Sequence, residues 1–266
     1  MNCCIRNISE RNQMASSNYP VVIGATGGSG TRIFAKACMC AGYYMGSLLN
    51  ESLDSLHLAP FYDRWINPYV ESRRAPLQED DLELMKEDFH RCISEHRKAM
   101  QDAESPWGWK GPRTMYLLEF LDSQLHGMKF IHVVRDGRDM AYSSNQNQLI
   151  KHGQAALHER WLSASPACRS MALWNQMNFS VARYGENMMK DRYLRVRFED
   201  LCTQPQATLT ALFAFLDVAQ ADTAEILSRI KAPQTIGRWQ SRPGQEIREL
   251  VELGRSCLES FGYMQS

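Results

Sequence analysis

Val21-Val22-Ile23-Gly24-Ala25-Thr26-Gly27-Gly28-Ser29-Gly30-Thr31-Arg32 carries a β-branched run into four glycines and three hydroxyl residues. The chain then continues as Ile33-Phe34-Ala35-Lys36-Ala37-Cys38-Met39, which reads as a helix. Strand, glycine loop and helix in that order make an anion site. Glycines let successive backbone N–H groups turn inward, and the helix N-terminus adds its partial positive charge. The frame Gly24-x-x-x-x-Ser29-Gly30-Thr31 has the length of a nucleotide-triphosphate P-loop, but Gly30 stands where that motif has its lysine.

Other readings compete for the loop. A glycine-rich turn without a ligand is the plainest. A dinucleotide site is another, since Gly24-Ala25-Thr26-Gly27 is similar to the opening of extended short-chain dehydrogenases. That fold needs a second strand about 20 residues on that ends in a ribose-reading residue. Here Gly42-Tyr43-Tyr44-Met45-Gly46 runs instead into the polar Asn50-Glu51-Ser52-Leu53-Asp54, and no Tyr-x-x-x-Lys pair occurs.

The second informative stretch is Lys129-Phe130-Ile131-His132-Val133-Val134-Arg135-Asp136-Gly137-Arg138-Asp139, followed by Met140-Ala141-Tyr142-Ser143. Its apolar run predicts a buried strand, broken at Gly137 before a polar helix. Arg135 then sits at the strand's C-terminal tip, the edge where open parallel sheets bind ligands, and with Ser143 it can grip a second anion. The alternative is an ordinary surface Arg–Asp turn.

Together these stretches resemble the sulfotransferases that use 3'-phosphoadenosine-5'-phosphosulfate (PAPS). Ser29-Gly30-Thr31 matches their 5'-phosphosulfate loop, and Arg135 with Ser143 has the spacing of their 3'-phosphate pair. Leu194-Arg195-Val196-Arg197-Phe198-Glu199-Asp200-Leu201 is similar to their late strand, with Phe198 at the position of an adenine-side aromatic. Ile236-Gly237-Arg238-Trp239 is similar to their Gly-x-Trp segment. The likeness runs from about Tyr19 to Trp239 and keeps its landmarks in order. It implies an α/β fold in which a central, mostly parallel sheet is flanked by helices, the P-loop NTPase-like sulfotransferase fold. It also implies PAPS as co-substrate, PAP as product, no metal, and a donor site of Gly27, Gly28, Ser29, Gly30, Thr31, Arg32, Arg135, Ser143, Phe198 and Arg238.

Departures shift the expected chemistry. Many members carry a cation just before Ser-Gly-Thr, where this chain has Gly28; Arg32 and Lys110 are the substitutes. Lys110, in Trp107-Gly108-Trp109-Lys110-Gly111-Pro112-Arg113, resembles the family's strand-end lysine segment, but the histidine base of the well-studied cytosolic members is replaced by Pro112. Sulfuryl transfer places charge on the attacking and leaving oxygens, so a base must come from elsewhere. Glu51, Asp54 and His57 are spaced three apart and would share one face of a helix. Asp54 is the first choice of base and His57 the second; a solvated polar face is the bland alternative.

The remaining features bound the function. The chain has 266 residues, 44% of them hydrophobic, with 30 basic and 30 acidic side chains. One domain over residues 19–266 fits that size, behind a loose polar leader at 1–18. Charge neutrality argues against bulk nucleic-acid or anionic-membrane binding. The eight cysteines, at 3, 4, 38, 40, 92, 168, 202 and 257, lack zinc spacing and read as reduced thiols. No stretch approaches the ~20 apolar residues of a membrane span, and the leader lacks a signal-peptide core, so a cytoplasmic location is expected. Pro76 to Met100 reads as one exposed helix, and residues 154–189 as a helical region split at Pro166. The expected function is transfer of a sulfonate to a hydroxyl or amine of a small acceptor. A P-loop small-molecule kinase, with Asp136 as its magnesium carboxylate, and an inactive nucleotide-binding module are the alternatives.

Overall fold

Alternation along one strand divides the core in two. A computed structural model describes residues 19–219 and 223–264. In it β1 (Val21–Ala25) is buried on both faces. Val21, Ile23 and Ala25 join one apolar cluster, and Val22 joins another on the opposite side. Successive side chains of a strand point to opposite faces, and a central parallel strand is covered on both, so the continuous β-branched run follows.

Three further strands, β2 (Gly108–Lys110), β3 (Lys129–Val134) and β4 (Tyr193–Arg197), complete a parallel sheet in the order β2-β1-β3-β4. The chain leaves β1 to one side for β2 and to the other for β3. The sheet therefore reverses direction at β1, the place where doubly wound sheets open a crevice beyond their strand ends.

Twelve helices cover the sheet among the described residues. They are α1 (Thr31–Cys40), α2 (Ala59–Glu71), α3 (Glu79–Arg97), α4 (Leu118–Gln124), α5 (Gly137–Ala141), α6 (Asn147–Ala156), α7 (Glu159–Leu162), α8 (Pro166–Tyr184), α9 (Phe198–Thr203), α10 (Pro205–Phe215), α11 (Ala224–Arg229) and α12 (Gly244–Ser260). Phe34, Ala35 and Cys38 of α1 pack with Leu209, Leu212 and Phe213 of α10 on the Val21 side. Phe61 and Trp65 of α2 and Phe89 of α3 pack with Trp109 and Phe130 on the Val22 side. Gly24 is required there, because a Cβ would strike the Phe130 ring and the Thr114 hydroxyl. Val134 joins a third cluster with Trp174 of α8 and Leu250 and Leu258 of α12.

The helical region after residue 154 does break at Pro166, where the Ser165 hydroxyl accepts from Cys168 N and caps α8. The helix expected over Pro76 to Met100 is α3, shorter and not simply exposed: Met85, Phe89 and His96 are fully buried. Its first turn holds Glu79, Asp80 and Asp81 and its last turn His96 and Arg97, charges that complement the helix dipole. The leader expected at 1–18, with Cys3 and Cys4, lies outside the described residues. Among the described residues no helix is long and apolar enough to cross a membrane.

Three buried histidines tie stability to pH. His132 on β3 accepts from Tyr193 Oη at 2.7 Å and donates through Nε2 to Asn178 Oδ1 at 2.9 Å. The Asn178 amide is oriented by its own bond to Trp174 O. Burial pulls the His132 pKa down to about 3, and those of His96 and His152 to about 4. Unfolded, these rings protonate near pH ~6.5. The unfolded chain thus binds more protons between that value and about 4, so stability falls on acidification through this window. Urea midpoints should decrease steadily from about pH 7 to 5.5, above the range where free carboxylates titrate. A flat profile would show that the rings are not neutral in the folded state.

Candidate active site

Because the sheet is parallel, all four strand C-termini reach one edge. β1 runs into Thr26–Gly30, β2 ends in Lys110, and β3 and β4 end one residue before Arg135 and Phe198. The first loop is held by its own hydroxyls: Ser29 donates to Thr26 O at 2.7 Å, and the two hydroxyls lie 3.1 Å apart. Gly28 (φ 89°) and Gly30 (φ 77°) take left-handed backbone that other residues rarely adopt. Gly30 also precedes α1 directly, and a Cβ on it would overlap the Phe198 ring.

Arg135 closes this loop from the side. It is 5% exposed, and its Nη1 donates to Gly28 O at 3.2 Å while Nη2 donates to Thr235 Oγ1 at 2.8 Å. Its guanidinium carbon lies 5.2 Å from the centre of the Phe198 ring, and its Nε is buried with no partner. The backbone beneath is fixed by Trp174, whose indole donates to Arg135 O at 3.0 Å and leaves no room for a side chain at Gly137. Asp136 caps α5 through Arg138 N at 2.9 Å and pairs with the Arg138 guanidinium at 2.7 Å. That carboxylate is therefore committed within the protein.

Asp139, one turn on, recruits the C-terminal segment. Its carboxylate accepts from Gly237 N at 2.8 Å and Trp239 N at 3.3 Å, and the Trp239 ring lies 4.0 Å under Arg138. Arg238 is thereby placed so that it donates to Thr235 O and Tyr142 O, both at 3.1 Å. Burial, and then the charge of Arg135, pull its pKa below the usual arginine value. Neither guanidinium has a carboxylate among these hydrogen-bond partners. Ser143 completes the group, its Oγ 3.5 Å from where a Cβ on Gly28 would stand. Gly28, Arg135, Ser143 and Arg238, read separately from the sequence, thus converge. Phe198 joins them, buried and packed against Gly30 and Arg135.

Lys110 is 2% exposed, and its ammonium donates to Ser52 O at 2.7 Å and pairs with Asp54. Burial pulls its pKa below the usual lysine value, against the Asp54 carboxylate, which raises it. The segment bearing Asp54 is a loop and not the expected helix. Asn50 organises it: its Oδ1 accepts from Ser52 N and Asp54 N, both at 2.9 Å, and its Nδ2 donates to Asp54 Oδ2 at 3.0 Å. Leu53 takes φ 64° within this turn, and α2 begins only at Ala59. No shared helical face of Glu51, Asp54 and His57 exists. The His57 ring centre lies 6.0 Å from that of His96, with Nε2 buried and unpartnered. Arg32, exposed on the first turn of α1, reaches Ser52 Oγ at 3.4 Å and so borders the same loop.

A cleft of about 220 Å³ opens beside this pair. Asp54, Tyr62, Arg113, Gln148 and Lys151 are among the residues that line it, and His57 is not. Arg113 and Lys151 both bond Asp63, and Arg64 pairs with Asp88 at 2.7 Å. Gln148, Lys151, Asn50 and Asp139 were not singled out in the sequence; only Asn50-x-x-x-Asp54 carried a signal, that of an Asx turn.

The fold places the chain among the α/β proteins with a parallel sheet wrapped in helices. It is similar to the sulfotransferase domain from the Synechococcus olefin synthase (TM-score 0.53, 16% identity, 93% of this chain and 96% of that one). It is also similar to a Mycobacterium avium sulfotransferase (TM-score 0.55, 12% identity, 95% and 80%) and to the sulfotransferase domain from the curacin biosynthetic pathway (TM-score 0.50, 15% identity, 88% and 96%). No curated protein matches the chain. Residues 49–222 match the model of a sulfotransferase family, and the chain belongs to that family. The matched span holds Asp54, Lys110, Arg135, Ser143 and Phe198.

The two glycines of the loop should differ in tolerance. Gly30→Ala places a Cβ into Phe198 at left-handed backbone, which costs on the order of 1–3 kcal/mol. The melting temperature should fall by about 4 °C or more. Gly27→Ala meets only the Asn145 side chain, at 3.4 Å, and should stay within about 2 °C of the parent. Equal effects would mean that the Gly30–Phe198 contact does not set the loop.

Proposed function

We propose that residues 19–266 form one catalytic domain that transfers a sulfonate from PAPS to a hydroxyl or amine of a small acceptor, releasing PAP. The observation that carries this reading is the Arg135 guanidinium, 5% exposed with an orphan Nε, beside Arg238 and the glycine loop whose Gly28 O it holds. Burying such a charge without a carboxylate is costly, and an anionic ligand at that spot removes the cost. Arg135, Ser143 and Arg238 would hold a 3'-phosphate. Gly27, Gly28, Ser29, Gly30 and Thr31, at the start of α1, would hold the 5'-phosphosulfate, with Arg32 at their border.

The lysine and carboxylate pair supplies the chemistry. An ammonium has three donors, and Lys110 gives two to Ser52 O and Asp54. The third is left for the sulfonate and bridging oxygen, where charge develops. Asp54 keeps lone pairs beyond those used by Lys110 and Asn50, and takes the acceptor's proton as its oxygen or nitrogen attacks sulfur. His57, turned toward His96 and away from the cleft, is the weaker candidate. No metal has a role in this scheme. The kinase alternative needs a free carboxylate at Asp136, which is bound to Arg138. A cytoplasmic location is supported by Cys38, Cys40, Cys92, Cys168, Cys202 and Cys257, which are free thiols. The balanced charge fits a small-molecule acceptor better than a nucleic acid.

Calorimetry with PAP and with adenosine 5'-phosphate, in chelator, tests the donor site. PAP should bind without metal and raise the melting temperature. Arg135→Ala should weaken PAP by about ten- to a hundred-fold, the scale of a lost charge-assisted contact, and leave adenosine 5'-phosphate nearly unchanged. A metal requirement, or equal losses for both nucleotides, would overturn the assignment.

Turnover tests the pair. Asp54→Asn keeps an acceptor oxygen for Lys110, so PAP affinity should hold while turnover at neutral pH falls about 100-fold. Lys110→Met keeps the side-chain volume and should lower turnover by roughly 100-fold or more, with a smaller effect on donor affinity. Near-normal turnover in Asp54→Asn, with loss in His57→Ala, would move the base to the histidine.

A further inference from the structure

The cleft beside Asp54 has an uneven charge. Asp54 is neutralised by Lys110, which is 2% exposed. Arg113 and Lys151, by contrast, both line the cleft and both bond a single oxygen of Asp63, Lys151 at 2.9 Å. Two cations share one carboxylate, so this wall holds one positive charge in excess. Arg113 is further fixed over the Tyr62 ring, 5.3 Å from its centre, which orients the guanidinium.

A second observation lies in the same cleft. Gln148 is 8% exposed and donates through Nε2 to Ala25 O, the last residue of β1, at 3.0 Å. That bond fixes which amide atom is the oxygen, and Oε1 is buried in the lining with no donor. A buried carbonyl oxygen without a partner has lost its water and gained nothing in return, a deficit that a ligand's N–H or O–H recovers.

We infer that the acceptor is a small hydroxy or amino compound that also bears a carboxylate or similar anion, held by Arg113 and Lys151, with an O–H or N–H donated to Gln148 Oε1. This rests on the sulfotransferase reading of the cleft. The excess cation selects the anion, and the amide sets the orientation of the donor group relative to the loop after β1. Asp63 keeps both cations in place when the cleft is free.

Binding to the PAP-saturated protein tests the inference. The probes are 4-hydroxybenzoate, 3-hydroxybutyrate and the methyl ester of each, titrated by calorimetry, with the same titrations repeated on the nucleotide-free protein. At least one acid should bind about ten-fold or more tightly than its ester, the scale of a hydrogen bond to a charged group. Lys151→Glu, at a half-exposed position that does not support the core, should abolish that advantage and leave PAP affinity unchanged. Gln148→Leu should weaken acid and ester alike. Esters that bind as well as acids, no binding by any probe, or an advantage that survives Lys151→Glu would each overturn the inference. Failure of PAP itself to bind would instead count against the donor assignment, and the nucleotide-free titrations would still decide the charge preference of the cleft.

Discussion

A guanidinium buried without a carboxylate is the constraint around which this site is arranged. Removing an ion from water costs several kcal/mol even after relaxation, and neutral acceptors return only part of it. Arg135 receives Gly28 O, Thr235 Oγ1 and the face of Phe198, three partial compensations from three distant segments. Each segment is in turn held by something else: Gly28 by the Thr26–Ser29 turn, Thr235 by the loop that Asp139 gathers, Phe198 by its place at the start of α9. The glycine loop, the β3 tip and the C-terminal segment thus meet at one side chain. The carboxylates nearby, Asp136 and Asp139, make their hydrogen bonds to Arg138 and to the backbone N–H groups of residues 237 and 239, so neither bonds the Arg135 guanidinium directly.

Much of this edge was legible in the sequence because it rests on short-range signals. A β-branched run before glycines, and an apolar run before Arg135, each give a strand and its end, and parallel topology brings the ends together. Lys110 at the end of β2 follows from the same logic. The site on the other side of the sheet edge was less legible. Glu51, Asp54 and His57 have helical spacing, but Asn50 binds the backbone N–H groups of Ser52 and Asp54 with its own carbonyl, and that local competition wins over helix propensity. Asp54 still reaches the cleft because Lys110 holds it, whereas His57 turns to His96. Gln148 and Lys151 lie on an ordinary amphipathic helix, and nothing in their spacing tells which positions of α6 face a cleft.

The absence of a cation before Ser29 has a physical reason in the backbone. Gly28 sits at φ 89°, where a lysine would be strained, and its carbonyl is the acceptor for Arg135. A Cβ there would meet only ordinary contacts, Ser143 Oγ at 3.5 Å among them, so the limit is the backbone conformation. Once the loop is committed to this conformation, its cation has to come from a neighbouring element. Lys110 on β2 and Arg32 on the first turn of α1 both border the Ser52–Asp54 loop.

A cation carried on a strand behaves differently from one on a loop. The β2 backbone is paired to β1 residue by residue, Ile23 opposite Lys110, so the ammonium's origin cannot drift with the ligand. The Ser52 carbonyl and Asp54 restrict its remaining freedom, and little rotamer entropy is left to lose when it meets charge. In the proposed reaction its third N–H would meet the oxyanion while the other two keep their hold on Ser52 O and Asp54, so one side chain would orient both the base and the sulfonate. Under the proposed function, the ion pair that stabilises the free site would also hold the base and the cation at a fixed separation, ready for charge to develop between them.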